Sequence, residues 1–125
     1  MKLLVLREGV HGLSPSAYAE TLRDRLDGHT VRHASTPVEE REAIESADIA
    51  TGVSIGPSLL ERATKLRLFA CAYAGTGHLP LDSFATHDIA VTNAAGVHSA
   101  SASEHVIGSI LSFSRRLHDA ARADN

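Results

Sequence analysis

The chain has 125 residues, 43% of them hydrophobic and 22% charged, with a formal net charge of -3. Those values are ordinary for a single soluble domain and give no electrostatic reason to expect nucleic acid or an anionic membrane as partner. Cys71 is the only cysteine, which excludes an internal disulfide, and no apolar stretch approaches the roughly 20 residues of a membrane-spanning helix.

The opening MKLLVLREGV has an apolar core of only about four residues and no small-residue cleavage site, so it reads as a first strand rather than a signal peptide. A cytoplasmic protein is the simplest expectation. Strands are expected at Lys2 to Leu6, Thr30 to His33, Asp48 to Val53, Leu66 to Ala72 and Ala90 to Asn93. Helical segments separate them. SPSAYAETLRDRL places Ser14 at an N-cap and Pro15 at the first helical position, with Tyr18, Leu22 and Leu26 on one face. TPVEEREAI repeats the device, with Thr36 as cap and Glu39 closing a capping box. GPSLLERA starts a shorter helix near Pro57, and LPLDSFATH supplies a turn or two after Pro80. Strands alternating with helices imply a parallel sheet, so the expected fold is α/β, a flavodoxin-like doubly wound sheet of about five strands.

The last helix is expected to run from a capping box at Ser101 and Glu104 almost to the chain end. On a helical projection Phe113, Val106, Leu117, Ile110, Ile107 and Leu111 sweep roughly 160°, wider than the ~100° that one packing face requires. A second partner for that arc is therefore expected, and a homodimer through these six residues supplies one.

YAGTGHLP, Tyr73 to Pro80, follows the fourth strand and superficially matches a phosphate-binding glycine loop. A dinucleotide fingerprint needs G-x-G-x-x-G and an acid about 20 residues further on. Gly75 and Gly77 fit, but the third place is Pro80, and the next strand ends in Asn93-Ala94 without a carboxylate. The dinucleotide reading fails. Successive backbone N–H groups at the carboxyl end of a parallel strand still suit a small anion such as a carboxylate, the alternative being that the glycines only permit a tight turn.

The stretch LRLFACAYAGTGHLPLDSFATHDIAVTNAAGVHSASASEHVIGSILSFSRRL, Leu66 to Leu117, resembles the part of D-isomer-specific 2-hydroxyacid dehydrogenases that leads from the substrate domain into the interdomain helix. The order of features carries the likeness: strand, glycine loop, short helix, VTN strand, glycine turn, and an Ala/Ser-Glu-His helix ending in a double arginine. Met1 to Lys65 agrees in element order without a distinctive motif. The resemblance implies that the amides of Ala74 and Gly75 hold a substrate carboxylate and that Tyr73 borders the substrate side chain. It also implies that Asn93 and the turn Ala94 to His98 line an interdomain cleft, with His98 toward substrate, and that Asn93 and Ala102 approach the cofactor. The family loop runs G-x-G-x-D-x-x-D; this chain keeps Gly75, Gly77 and Asp82 but has Leu79 in place of the first aspartate, which puts loop rigidity in question.

Family members continue past the double arginine into a nucleotide domain that holds the true glycine fingerprint and the reacting arginine, glutamate and histidine. The resemblance thus implies a substrate domain at 1–100 and, at 101–125, an interdomain helix leading to a nucleotide-binding domain outside this sequence. The full-length parent would transfer a hydride between NAD or NADP and C2 of a small D-2-hydroxy or 2-keto acid. This chain alone, with no catalytic residue of its own, is expected to be inactive. A non-catalytic ligand-sensing or protein-binding module is the alternative.

Single residues have plainer readings beside these. His29 and His33 lack a carboxylate or cysteine at ligand spacing and read as surface histidines, so no metal is expected. Glu104 reads as the capping acid, and His105 beside it points about 100° away. His78 packs the loop, Cys71 is a small buried hydrophobe, and Arg115 and Arg116 favour a helix C-terminus. A phosphoacceptor receiver shares the element order, but needs acids and a lysine where this chain has Arg7-Glu8, Val53 and Asn93.

Overall fold

Five parallel strands in the order β2-β1-β3-β4-β5 form the sheet of the computed structural model, which describes residues 1–123. The strands are β1 (Lys2–Val5), β2 (Thr30–His33), β3 (Ile49–Gly52), β4 (Leu68–Cys71) and β5 (Ala90–Thr92). Between them lie α1 (Pro15–Arg23), α2 (Pro37–Ile44), α3 (Pro57–Leu60) and α4 (Leu81–Thr86), with α5 (Ser99–Ser114) and α6 (Leu117–Ala123) following β5. This is the expected flavodoxin-like order; β2 keeps its expected bounds, and the other four strands are shorter than expected by one to three residues, where ladder bonding gives way to loops. The chain divides into two compact units, Met1–Ala94 and the segment from Ala95 onward.

In the first unit the period of two along β1 sends its side chains to opposite faces. Val5 packs with Val31 and Ala19 beneath α1, joined by Leu3, Tyr18, Leu22 and Leu26. Leu4 turns to the other face, where Ala50 and Phe69 continue its row and α2, α3 and α4 contribute Ile44, Leu59, Leu60 and Phe84. Phe69 and Phe84 stack at 5.3 Å between ring centroids. Thr51, buried among apolar neighbours, donates its hydroxyl to the Ala70 carbonyl at 2.8 Å.

Local start signals operate as their chemistry demands. Ser14 Oγ accepts from the Ala17 N–H at 3.2 Å and Thr36 Oγ1 from the Glu39 N–H at 3.2 Å. The Glu39 carboxylate returns to the N–H of Ser35 at 2.8 Å, one residue before the cap. At the amino edge of the sheet Asp48 accepts from the Lys2 N–H at 2.7 Å, and that bond holds its carboxyl below the usual range.

The second unit departs from expectation at both ends of its helix. α5 begins at Ser99, with His98 at the N-cap and no side chain capping it. Ser101 lies inside the helix and donates its hydroxyl back to the His98 carbonyl at 3.3 Å, so the expected Ser101–Glu104 capping box does not form. The helix also does not run on to the chain end. Arg115 closes α5 and Arg116 takes a left-handed φ of 52°, which breaks the chain into α5 and α6 and assigns Leu117 to α6. Neither α5 nor α6 buries a residue, and Val106, Ile107, Ile110, Leu111, Phe113 and Leu117 are all exposed.

The core predicts its own sensitivity. Phe84→Ala should lower the unfolding free energy by about 3–5 kcal/mol in urea titration, through lost transfer energy and the cavity left against Phe69. Leu81→Ala, three residues earlier on an exposed position, should change it by less than about 1 kcal/mol.

Candidate functional site

The strand order reverses between β1 and β3, so the loops after β1, β3, β4 and β5 gather at the carboxyl edge of the sheet. The loop after β4 contains Tyr73, Ala74 and Gly75, all exposed. Its backbone is held by its carbonyl groups. His11, from the loop after β1, donates its Nε2–H to the Ala72 carbonyl at 3.0 Å. The N–H of Ala94 donates to the Tyr73 carbonyl at 3.1 Å, and Asn93 Nδ2 donates to the Ala74 carbonyl at 2.6 Å. Among the described residues there is no cis peptide bond. In a planar trans peptide the carbonyl of one residue and the N–H of the next point in opposite directions. Pinning the carbonyls of Ala72, Tyr73 and Ala74 therefore turns the N–H groups of Tyr73, Ala74 and Gly75 away from the protein partners. Among the described residues, no group accepts a hydrogen bond from the backbone N–H of any residue from Tyr73 to His78.

The glycines answer the tight-turn alternative. Neither Gly75 nor Gly77 has a positive φ, and a Cβ added at either meets nothing within 4 Å. The turn demands glycine at neither place. The same angles mean that the αR–αL alternation of a nest is missing, and the donors are presented by an open turn instead.

Two side chains stiffen the loop beyond its carbonyls. His78 Nε2–H donates to the Val53 carbonyl at 2.8 Å, where the Cys71 thiol also points at 3.5 Å. Leu79, standing where the family pattern has an aspartate, is buried in the larger core cluster, so apolar packing ties this end of the loop. Cys71 is buried, as its strand position implied.

The expected site residues fall into two groups. Tyr73, Ala74, Gly75 and Asn93 come together in the first unit, and Asn93 spends its amide on the loop. His98 and Ala102 belong to the second unit, where the Ala102 N–H bonds the His98 carbonyl at 2.9 Å in the first turn of α5. His11 was missed: it lies 61 residues from its partner, and no local pattern marks such a contact.

The loop does not fit a dinucleotide. α4 spans only six residues, starts after Pro80 and carries Asp82 in its first turn, a charge that opposes phosphate. Among the described residues no group of three or more His, Cys, Asp or Glu could hold a metal ion.

The family model for the D-isomer specific 2-hydroxyacid dehydrogenase catalytic domain matches residues 11–122. The chain belongs to this family. Among solved structures, the NAD-dependent formate dehydrogenase of Staphylococcus aureus, in complex with NAD, superposes with a TM-score of 0.66 at 22% identity over 99% of this chain and 41% of its own. A D-lactate dehydrogenase from Treponema pallidum gives 0.69 at 15% identity over 99% of this chain and 40% of its own. The NAD+-bound 3-phosphoglycerate dehydrogenase of Entamoeba histolytica gives 0.63 at 21% identity over 90% and 38%. At such identities the likeness is one of fold, and the chain spans about two fifths of the length of these structures. No curated protein matches it in sequence.

Removal of the Asn93 amide should free the Ala74–Gly75 peptide. Asn93→Ala is expected to lower stability by about 1 kcal/mol and to broaden or shift the Gly75 amide resonance, while leaving the resonances of α1 in place.

Proposed function

We propose that residues 1–100 are the substrate domain of an NAD(P)-dependent D-2-hydroxyacid dehydrogenase, and that 101–125 begin the connection to a nucleotide-binding domain. Asp124 and Asn125, the end of that segment, lie outside the described residues. One observation carries the reading: three consecutive carbonyls are pinned while the N–H groups that follow them have no acceptor among the described residues. Donors fixed in this way suit an anion that can accept several at once, and the carboxylate of a small 2-hydroxy or 2-keto acid is such a group. Tyr73 and His98 would border the rest of that substrate. The loop's misfit with a dinucleotide supports a reading in which NAD or NADP would be held by the second domain, with Asn93 and Ala102 approaching it from this one. Hydride transfer to or from C2 would belong to the two-domain protein, working in the cytoplasm, and the acid–base group would come from outside this chain.

The reading is tested on the chain itself. Pyruvate titrated into the 15N-labelled protein should shift the amide resonances of Ala74 and Gly75 before any others. Gly75→Val should abolish the effect, because its side chain fills the open space over the backbone, whereas His29→Ala should leave it intact. Equal loss in both variants, or shifts centred elsewhere, would count against a carboxylate loop.

The exposed apolar residues of α5 and α6 support a homodimer as the association state. Covering one such side chain is worth roughly 1.5–3 kcal/mol, so a second copy placing its own α5 against Ile107, Ile110 and Leu111 repays association readily. Sedimentation should show a dimer for the wild type and a monomer for a chain carrying Ile107→Gln and Leu111→Glu. A wild-type monomer would remove this part of the proposal.

A further inference from the structure

The loop after β1 is built at some strain around one side chain. Val10 and Leu13 exchange hydrogen bonds of 3.0 and 2.9 Å, closing a two-residue turn whose central positions are His11 and Gly12. Their φ angles are 49° and 82°, the pair of positive values that a type I′ turn requires. Gly12 adopts such an angle freely, but histidine does so against the contact of its Cβ with the backbone, and asparagine or glycine is the usual occupant. Gly9 is confined as well, because a Cβ there would lie 2.6 Å from the Leu13 carbonyl oxygen. The turn thus holds a disfavoured residue in a crowded place.

Its product is a reach across the sheet. β1 and β4 are not neighbours, since β3 lies between them, yet the His11 ring reaches the loop after β4. There it donates to the Ala72 carbonyl and sets its edge against Tyr73, with ring centroids 5.0 Å apart and planes at 78°. Tyr73 also meets His78, at 6.4 Å and 70°, and His78 is itself tied to Val53. The tyrosine therefore contacts two imidazoles, each fixed by a backbone carbonyl.

We infer that His11 is a positioning residue for anion recognition: by holding the Ala72 carbonyl it sets the peptide plane that directs the Tyr73 N–H outward, and by its ring it sets the Tyr73 side chain beside the loop. This rests on the carboxylate reading of Ala74 and Gly75, but adds a residue from a different strand that acts through the loop rather than on the ligand. A strained turn with no such role would lose nothing by relaxing, and the strain points to the contact it maintains.

The two halves of the contact separate by substitution. His11→Gln keeps an N–H close to the Nε2 position and loses the ring, while His11→Phe keeps a ring and loses the donor; both retain the disfavoured backbone angle. With pyruvate as probe and the Ala74 and Gly75 amide shifts as readout, loss of the donor in His11→Phe should weaken binding by about threefold to tenfold, the equivalent of one hydrogen bond. His11→Gln should recover most of that affinity, and the urea midpoints of the two variants should agree. Unchanged pyruvate affinity in His11→Phe, or equal loss in both variants, overturns the role of His11 while leaving the carboxylate loop standing. Absence of pyruvate shifts at Ala74 and Gly75 in the wild type overturns the loop reading and this inference with it. Independently of any variant, the imidazole nitrogen shifts of wild-type His11 must show a proton on Nε2; a ring protonated only on Nδ1 excludes the bond to Ala72 and ends the proposal.

Discussion

A peptide plane has two polar ends, and fixing one of them fixes the other. The carboxyl edge of this sheet depends on that constraint at three successive planes, where the carbonyls of Ala72, Tyr73 and Ala74 are engaged by His11, Ala94 and Asn93. The partners come from different loops, after β1 and after β5, so the geometry of the β4 loop is a property of the whole sheet order rather than of its own sequence. Strands β1, β3, β4 and β5 act as a jig. The larger core cluster beneath, with Phe69 and Phe84 at its centre, keeps that jig in register.

The division of labour between the two units follows from what each can bury. Residues up to Ala94 supply both faces of the sheet with apolar partners from their own helices. Between residues 95 and 123 the chain builds α5 and α6, and neither helix has a fully buried residue. A helix whose apolar residues cover more than one face is characteristic of an element used from more than one direction.

Much of the fold was legible because its signals are local. Ser14 with Pro15 and Thr36 with Pro37 mark helix starts through bonds that span three residues, and the alternation of Leu4 and Val5 divides the two faces without reference to anything distant. The start of α5 was misread for the same reason. Ser99, Ser101 and Ser103 all precede an apolar run, and a serine hydroxyl satisfies itself equally by bonding a carbonyl behind it, as Ser101 and Ser103 do. The break at Arg116 had no glycine to announce it. At the site, the glycine loop could be read from its residues, but its clamps could not: Asn93 lies 19 residues from Ala74, and His11 lies 61 from Ala72. Such distances in sequence become contacts only once the strand order is known.

Leu79 changes the thermal character of the loop. A carboxylate in that position would tie the backbone by hydrogen bonds, whereas this chain ties it by removing an isobutyl group from water. Apolar burial loses strength on cooling, because its driving force near room temperature is the entropy of water. Of the two ties at the far end of the loop, the packing of Leu79 is thus the one that slackens in the cold, while the His78 bond beside it and those of His11, Ala94 and Asn93 at the near end do not share that dependence.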